Sequence, residues 1–321
     1  MTGDGLTVPP LLVIAGPTAT GKTGLAIDVA EQLIGEGVVA EVISADSRQV
    51  YRGLDIGTAK ATITDRRGIA HHGLDLVEPD VPFTVADFAA NARAALTDLA
   101  ARAARTRQPA LAILAGGTGL YLRAIARGIA TDVLPADAAV RARLEAEFLA
   151  IGLGPLVARL RSVAPGRAAS VDVANPRRVV RALEMIEAGG GDHAIPAPRG
   201  YDAPVAWIGL TVEPAAHREW IGHRAAAQFA AGLIDEARSL RAQFDPGLPA
   251  FSAIGYREAW AVIDGTMTLE AAIAEDARRN AAFAKRQRTW FKTEPDVAWL
   301  DVTARSPVPP ALEAGRRLVG L

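Results

Sequence analysis

Cysteine is absent from the 321-residue chain. This absence excludes disulfide bonds, a thiolate nucleophile and a cysteine-ligated zinc finger, and it suits a reducing compartment. A strong charge of one sign is also missing, because the formal net charge is −1. No overall field therefore attracts a polyanion, and any nucleic-acid surface must be local.

No secretory or membrane-spanning segment is expected at the start of the sequence either. Met1–Pro10 contains no basic residue, and the apolar run Leu11–Ala15 is far too short for a signal-peptide core or a transmembrane helix. We therefore expect a cytoplasmic protein with no membrane partner. Because 50% of the residues are hydrophobic, the chain is expected to fold around a substantial core, as one large domain or two ordinary ones.

The most informative stretch that is present is Gly16–Thr23, between that apolar run and a helix-patterned segment. It fits the phosphate-loop template Gly-x-x-x-x-Gly-Lys-[Ser/Thr] in the required strand–loop–helix context. Glycines let backbone N–H groups point at an anion, and the following helix adds its positive N-terminal end. The Lys22 ammonium suits the outer phosphates, and the Thr23 hydroxyl suits Mg²⁺. The sequence thus predicts a di- or triphosphate site whose residues are Gly16, Pro17, Thr18, Ala19, Thr20, Gly21, Lys22 and Thr23.

Strand and helix patterns alternate along the first part of the chain. Short apolar runs predict strands over Val38–Ser44 and Pro109–Ala115, and apolar spacing predicts helices over Thr23–Ile34 and Thr84–Arg105. This alternation predicts an α/β fold, a P-loop NTPase-like doubly wound parallel sheet.

Two predicted strands end in turns that could carry chemistry. Asp46 follows the strand Val38–Ser44, at the sheet edge where ligands of such folds bind, although an acidic helix cap would explain it equally well. Gly116–Gly119 follows the next strand and is a second glycine-rich turn, for which tight packing is the alternative. His71-His72 lies in the loop-rich segment Tyr51–Thr84. Adjacent histidines cannot ligate one metal from a helix face, so structural or solvated roles are favoured.

The pattern becomes helical in the middle of the chain. Helices are predicted over Ala136–Ile151, Gly154–Val163 and Pro176–Ala188, so residues 131–203 form an all-helical insertion domain. Residues 11–130 and 204–301 form the catalytic core, with a strand at Val205–Val212 and one long helix at Glu213–Gln243. Residues 302–321 are predicted to be a tail.

A basic helix is predicted near the C-terminal end of the core. Between Arg278 and Lys292 there are six basic residues and no acidic one. Helical spacing places on one face Arg278, Ala281, Lys285, Arg288 and Lys292, and on the other Phe283, Gln287 and Trp290. Such a stripe suits a phosphate backbone, and a solvated helix face remains an equal alternative.

Three stretches together resemble the bacterial tRNA dimethylallyltransferases: Gly16–Thr23, Ile43–Lys60 and Ala115–Tyr121. Shorter matches follow in chain order at His71–Pro79, Asn175–Glu184, Ala253–Glu258 and Ala284–Phe291. The resemblance covers roughly residues 11–301. This chain departs from the family at Gln228, where a methionine is common, and at Asn280-Ala281, where Thr-Arg is usual.

The resemblance implies transfer of a dimethylallyl group from its diphosphate, with Mg²⁺, to the N6 amine of the adenosine just 3′ of the anticodon. The tRNAs would be those that read codons beginning with U. Asp46 matches the general base, Thr118 a catalytic-site residue that contacts the tRNA near the transfer site, and Arg224 the arginine that binds the diphosphate. Lys22 and Thr23, the latter also as metal ligand, would stabilise a leaving diphosphate.

The resemblance also implies that the partner is the anticodon stem-loop, held in part by the helical insertion, with the target base flipped out of its stack. The protein is expected to be a monomer. The positions matching tRNA-contacting residues are Asp46, Ser47, Arg48, Gln49, Thr118, Arg141, Arg177, Arg178, Arg181, Ser252, Gly255, Tyr256, Arg257, Lys285, Arg286, Gln287, Arg288, Trp290 and Lys292.

Three other functions compete with this hypothesis. A small-molecule kinase using ATP would share the phosphate loop, but it does not explain Asp46–Lys60 or the basic helix. An isopentenyltransferase acting on free adenine nucleotides would share the first half of the chain but not the C-terminal motif. A non-enzymatic RNA-binding protein gives no reason for Lys22, Thr23 and Asp46 to converge.

Overall fold

The computed structural model describes residues 8–321, so the first seven residues of the N-terminal segment discussed above lie outside the described residues. The chain divides into two compact units. One comprises Gly200–Leu321 together with the described residues up to Gly128, and the other comprises Ile129–Arg199. Among the described residues, no helix is both long enough and apolar enough to cross a membrane.

The first unit is built on a parallel sheet. Its strands are β1 (Leu11–Ala15), β2 (Val39–Ala45), β3 (His71–His72), β4 (Ala110–Gly116), β5 (Val205–Thr211) and β6 (Val297–Asp301). The strand order is β3-β2-β4-β1-β5-β6, and every pairing between neighbours is parallel. The predicted doubly wound α/β fold is therefore confirmed.

The helices of both units, in chain order over the described residues, are α1 (Lys22–Gly35), α2 (Val85–Thr106), α3 (Gly119–Ala126), α4 (Ala138–Ile151), α5 (Leu153–Val163), α6 (Pro165–Ser170), α7 (Pro176–Ala188), α8 (Pro214–Ala230), α9 (Leu233–Gln243), α10 (Tyr256–Ile263), α11 (Leu269–Phe291) and α12 (Val308–Val319). Local chemistry explains several boundaries. Thr84 and Asp87 form a reciprocal capping box at the start of α2. Asn175 caps α7, and Pro176 occupies its first turn.

Helices cover both faces of the sheet, which is why its strands are continuous apolar runs. On β1, Leu11 and Val13 pack into a cluster with α2 and α3, whereas Leu12 and Ile14 pack into a second cluster with α1 and α12. All five residues of β1 are buried. The central strand is therefore a rigid support for the loop that follows it.

The C-terminal segment is a helix and not the predicted tail. Ala311, Leu312 and Ala314 on α12 are buried in the same cluster as α1. A side chain at Gly315 would lie 3.0 Å from Leu33, so the helix approaches α1 closely. The sequence of α12 contains no recognisable motif. Only the packing of this helix against the sheet and α1 shows that it belongs to the core.

Two further predictions needed correction. The helix predicted over Glu213–Gln243 is two helices, because Gly232 adopts a left-handed φ of 104° between α8 and α9. The histidine pair forms the short edge strand β3 in the segment predicted as loop. His72 Nε2 lies 2.7 Å from Glu41 Oε2 on β2, which is the structural role that was favoured.

The second unit consists of α4–α7 around its own apolar core. That core includes Leu144, Leu156, Leu160, Val179 and Leu183. The short helix α6 was not predicted, because six residues are too few to show a helical period.

Candidate active site

The predicted phosphate loop joins β1 to α1 at the carboxyl edge of the sheet. A Cβ at Gly16 would lie 3.1 Å from the Leu210 carbonyl oxygen on β5, and φ there is +157°, so glycine is required. Gly21 adopts a left-handed φ of 78° at the start of α1. Gly16 and Gly21 therefore adopt backbone conformations that a residue with a side chain would block or strain.

A cavity of about 260 Å³ opens at this loop. Its walls come from the carboxyl ends of β1, β2 and β4, together with α8 and α11, so residues far apart in sequence meet there. The lining residues are Thr18, Ala19, Thr20, Gly21, Lys22, Thr23, Gly24, Ser44, Asp46, Gln49, Thr58, Ala59, Ala115, Gly116, Gly117, Arg224, Phe283 and Gln287.

Two cations face this cavity. Burial, and then the nearby Arg224 guanidinium, lower the pKa of Lys22 to about 7, against a smaller opposing effect of Asp46. Arg224 Nη1 donates to Thr18 Oγ1 at 2.5 Å, and its buried Nε has no hydrogen-bond partner among the described residues. Burial also lowers the pKa of Arg224, while Asp46 and Asp276 oppose that effect. Two desolvated cations and a buried unpaired donor make a fitting site for an anion.

Asp46 lies immediately after β2 and lines the same cavity. Its Oδ1 accepts from the Arg48 amide at 2.8 Å, which orients the carboxylate. The second glycine-rich turn is locked to this segment, since the Ser47 amide donates to Thr118 Oγ1 at 3.0 Å and the Thr118 amide donates to the Ala45 carbonyl at 3.1 Å. A Cβ at Gly116 would lie 2.1 Å from that carbonyl oxygen, so the close approach requires glycine. The turn is therefore tightly packed, which was the alternative, and Gly116 and Gly117 also line the cavity.

Another part of the cavity wall is a hydrogen-bonded network. Ser44 Oγ donates to Gln49 Oε1 at 2.8 Å, and Gln49 Nε2 donates to the Thr58 carbonyl at 3.1 Å. Glu236 on α9 accepts from the amides of residues 55, 56 and 57. Gln228 donates to the carbonyls of residues 56 and 57, which gives the unusual residue at this position a role.

The helix α11 shows the predicted separation of faces only in part, because Arg288, predicted on the basic face, is half-buried. Lys285, Arg286 and Lys292 are exposed. Arg278 forms an ion pair with Glu275, outside the acid-free stretch. Trp290 stacks under Arg123, 4.3 Å from ring centroid to guanidinium carbon.

Three side chains at predicted RNA-contacting positions are buried within the protein. Gln287 is buried, accepting from the Thr18 amide at 2.8 Å and donating to the Gly117 carbonyl at 3.0 Å. Tyr256 is fully buried and donates to Glu236 Oε1 at 2.7 Å. Gln49 is likewise buried in the cavity wall. Nearby, Arg257 is exposed, Gly255 is buried with a φ of 109°, and Ser252 donates to the Pro249 carbonyl.

In the helical unit, Arg141 and Arg181 both pair with Glu184, whose side chain is inaccessible to solvent. Burial would raise the pKa of Glu184, but hydrogen bonds from the two arginines hold that pKa below its usual value. Arg177 and Arg178 are exposed on α7. A groove of about 530 Å³ is lined by Arg141, Glu145, Phe148, Leu149, Pro176, Arg177, Val180 and Arg181.

A metal ion would find few protein ligands. Over residues 8–321, no cluster of three or more His, Asp or Glu side chains could hold one. The Thr23 hydroxyl and the Asp46 carboxylate both line the cavity. These hard oxygen ligands fit Mg²⁺, which commonly takes one or two protein oxygens and completes its shell with phosphate and water.

His217 on α8 is a residue of the site that sequence reasoning missed. It is buried, and its Nε2 lies 2.8 Å from the Thr18 carbonyl oxygen. A lone histidine inside an amphipathic helix gives no sequence signal, because its partner is almost two hundred residues away.

Comparison with known proteins gives consistent matches. The family model described as IPP transferase matches residues 49–294. A tRNA dimethylallyltransferase of Anaeromyxobacter sp. (strain K) is 45% identical, covering 94% of this chain and 99% of that protein. A tRNA dimethylallyltransferase of Symbiobacterium thermophilum is 41% identical, covering 92% of this chain and 90% of that protein.

Solved structures are also similar. The full-length tRNA isopentenylpyrophosphate transferase of Bacillus halodurans has a TM-score of 0.67 at 37% identity, covering 97% of this chain and 96% of that one. A eukaryotic dimethylallyltransferase acting on tRNA has a TM-score of 0.73 at 23% identity, covering 96% of this chain and 77% of that one, which shows a shared fold. A small-molecule kinase and an isopentenyltransferase of free adenine nucleotides find no support in these relatives.

Proposed function

The chain belongs to the IPP transferase family, and we propose that it transfers a dimethylallyl group from dimethylallyl diphosphate to the N6 amine of the adenosine just 3′ of the anticodon. The substrates are tRNAs that read codons beginning with U. The observation that carries the proposal is a single cavity that combines an anion-binding loop, the two cations Lys22 and Arg224, and the carboxylate of Asp46.

In this proposal the diphosphate end of the donor binds at Gly16–Thr23. Backbone N–H groups of the loop, the N-terminus of α1 and the Lys22 ammonium face the phosphate oxygens. Arg224 approaches from α8, with its unpaired Nε available to the same oxygens. Because these donors are already fixed, they stabilise the charge that develops as the allylic carbon–oxygen bond breaks.

Mg²⁺ is the proposed cofactor, and the Thr23 hydroxyl and the diphosphate would hold it, with Asp46 lining the same cavity. The ion would supply further neutralisation of the leaving group. The charges of Lys22 and Arg224 would also neutralise the leaving diphosphate.

Asp46 is the proposed general base. The N6 amine forms a bond to the allylic carbon, the bond from that carbon to the diphosphate breaks, and the amine proton passes to the carboxylate. The Arg48 amide donates to Asp46 Oδ1, leaving the other carboxylate oxygen to accept the proton. Thr118 holds the backbone next to Asp46 through the Ser47 amide, so its role includes placing the base.

Each unit offers exposed cations for the tRNA. In the core these are Arg257, Lys285, Arg286 and Lys292, and in the helical unit Arg177 and Arg178. Arg141 and Arg181 border the groove of the helical unit, where both guanidinium groups pair with Glu184. One chain supplies the loop, the base and the arginine of the cavity, which supports a monomer, and its substrate supports a cytoplasmic site of action.

A direct assay tests the proposal. Purified protein is incubated with dimethylallyl diphosphate, Mg²⁺ and unmodified tRNA, and the nucleosides are mapped by mass spectrometry. We expect one dimethylallyl group on the adenosine 3′ of the anticodon, and none on a tRNA carrying guanosine there. Absence of that product together with ATP turnover on a small acceptor would refute the proposal.

A further inference from the structure

Thr18, near the middle of the phosphate loop, is held at three atoms by side chains from two helices. Its amide donates to Gln287 Oε1 on α11, and its hydroxyl accepts from Arg224 on α8. Its carbonyl oxygen lies 2.8 Å from His217 Nε2 on α8. The next residue, Ala19, has a φ of 59°, which is unfavourable for a residue with a side chain. The conformation of the loop therefore depends on contacts that come from outside it.

The partners of His217 define its tautomer. The Thr18 carbonyl can only accept, so Nε2 carries the proton and donates to it. Arg288 Nη1 can only donate and lies 2.9 Å from Nδ1, so Nδ1 carries no proton. Burial lowers the pKa of His217, against the opposing effect of the hydrogen bond to the Thr18 carbonyl, and the charges of Arg288 and Lys22 lower that pKa further, which favours the neutral ring.

A chain of two hydrogen bonds thus runs from Arg288 through His217 to Thr18. Arg288 belongs to α11, whose exposed face carries Lys285 and Lys292, whereas Thr18 lines the diphosphate cavity. By donating to Nδ1, Arg288 selects the tautomer that holds the loop carbonyl.

We infer that His217 is a positioning residue for the diphosphate loop, and that Arg288 acts on diphosphate binding through it. This connects the basic helix to the diphosphate site. The inference rests on the proposed function for the identity of the anion, but it does not depend on prenyl transfer.

A double-mutant cycle tests the link, with inorganic diphosphate and Mg²⁺ as the probe and calorimetric titration as the assay, in the absence of RNA. His217→Leu and Arg288→Met should each weaken binding by about 2- to 10-fold, the value of one or two hydrogen bonds. The double variant should bind no more weakly than His217→Leu. His217→Gln, whose amide can both donate to Thr18 and accept from Arg288, should restore most of the affinity.

The matched control is His223→Leu, an exposed histidine on the same helix, which should bind as the wild type does. With dimethylallyl diphosphate and saturating tRNA, His217→Leu should raise KM for the donor and leave kcat largely unchanged. A purely structural role would lower the melting temperature without this selective effect.

Several results would overturn the inference. One is unchanged diphosphate affinity in Arg288→Met. This variant keeps the buried histidine, so it tests the inference even if His217→Leu fails to fold. Another is additive loss in the double variant, which would mean that Arg288 acts by its charge alone. If the wild type and the variants give the expected cycle but the wild type transfers no dimethylallyl group, the proposed reaction is refuted and this inference still holds.

Discussion

Binding of the allylic diphosphate should be coupled to uptake of a proton by Lys22. In the free protein the pKa of this ammonium is about 7, lowered mainly by burial and by Arg224. A bound diphosphate adds negative charge beside it and must raise that pKa. The pKa of Lys22 is therefore higher in the complex than in the free protein. As a result, the contribution of Lys22 to diphosphate affinity is complete below pH 7 and is lost as the pH rises above 7.

The size of the proton uptake follows from the pKa of Lys22 in the free protein. At pH 8, one unit above it, roughly nine-tenths of the free protein carries a neutral Lys22, so binding should take up about 0.9 proton. The dissociation constant should rise by up to about tenfold per pH unit above 7 until the pKa of the complex is reached. Ionisation of the ligand itself changes affinity in the opposite sense, so it cannot produce this trend.

The assay is titration calorimetry of dimethylallyl diphosphate without tRNA, repeated in two buffers that differ in ionisation enthalpy. The difference between the observed heats gives the number of protons directly. Lys22→Arg is the matched control, since a guanidinium stays charged over this range and the proton uptake should vanish. Binding that is independent of pH and of buffer between pH 7 and 9 in the wild type would refute the reasoning.

Three further predictions follow from the site and the fold. Asp46→Asn should lower the rate of transfer by about 10²- to 10⁴-fold with tRNA and diphosphate binding retained, as single-turnover and binding assays would show; a near-normal rate would exclude it as the base. The double variant Lys285→Ala/Lys292→Ala should make the slope of log tRNA affinity against log salt concentration shallower by about one to two units. Arg278→Ala, which removes a side chain already paired with Glu275, should change that slope less. Equal slopes would remove these lysines from the RNA interface. Leu312→Ala should destabilise the protein by about 2–5 kcal/mol in denaturant unfolding, and a loss below 1 kcal/mol would contradict the docking of α12 on the core.

Contacts near in sequence were the ones that could be predicted. The loop Gly16–Thr23 and the helices predicted over Thr84–Arg105 and Pro176–Ala188 each depend on residues within one or two helical turns of one another. The alternation of apolar strands and helices specified a parallel sheet, because strands buried on both faces need continuous apolar runs. From that sheet, Asp46 and Gly116 could be expected at one edge.

Contacts distant in sequence could not be predicted. Gln287, Tyr256 and Gln49 matched RNA-contacting positions, and all three are buried against the protein's own loops. Nothing in their local sequence separates an exposed amide or hydroxyl from one that holds a distant backbone group. Burial is decided when helices dock, and it depends on the partner surface.

The sequence by itself therefore determined the anion loop, the parallel sheet and the family of the chain, since these follow from local geometry and from motifs. Only the tertiary structure decided how that loop is held. It brought Arg224 and His217 on α8 and Gln287 on α11 to three atoms of Thr18, across more than two hundred residues of chain in two cases. The physical reason is that desolvation and hydrogen-bond pairing arise only when distant surfaces meet, and they set the charge of Lys22 and the shape of the loop.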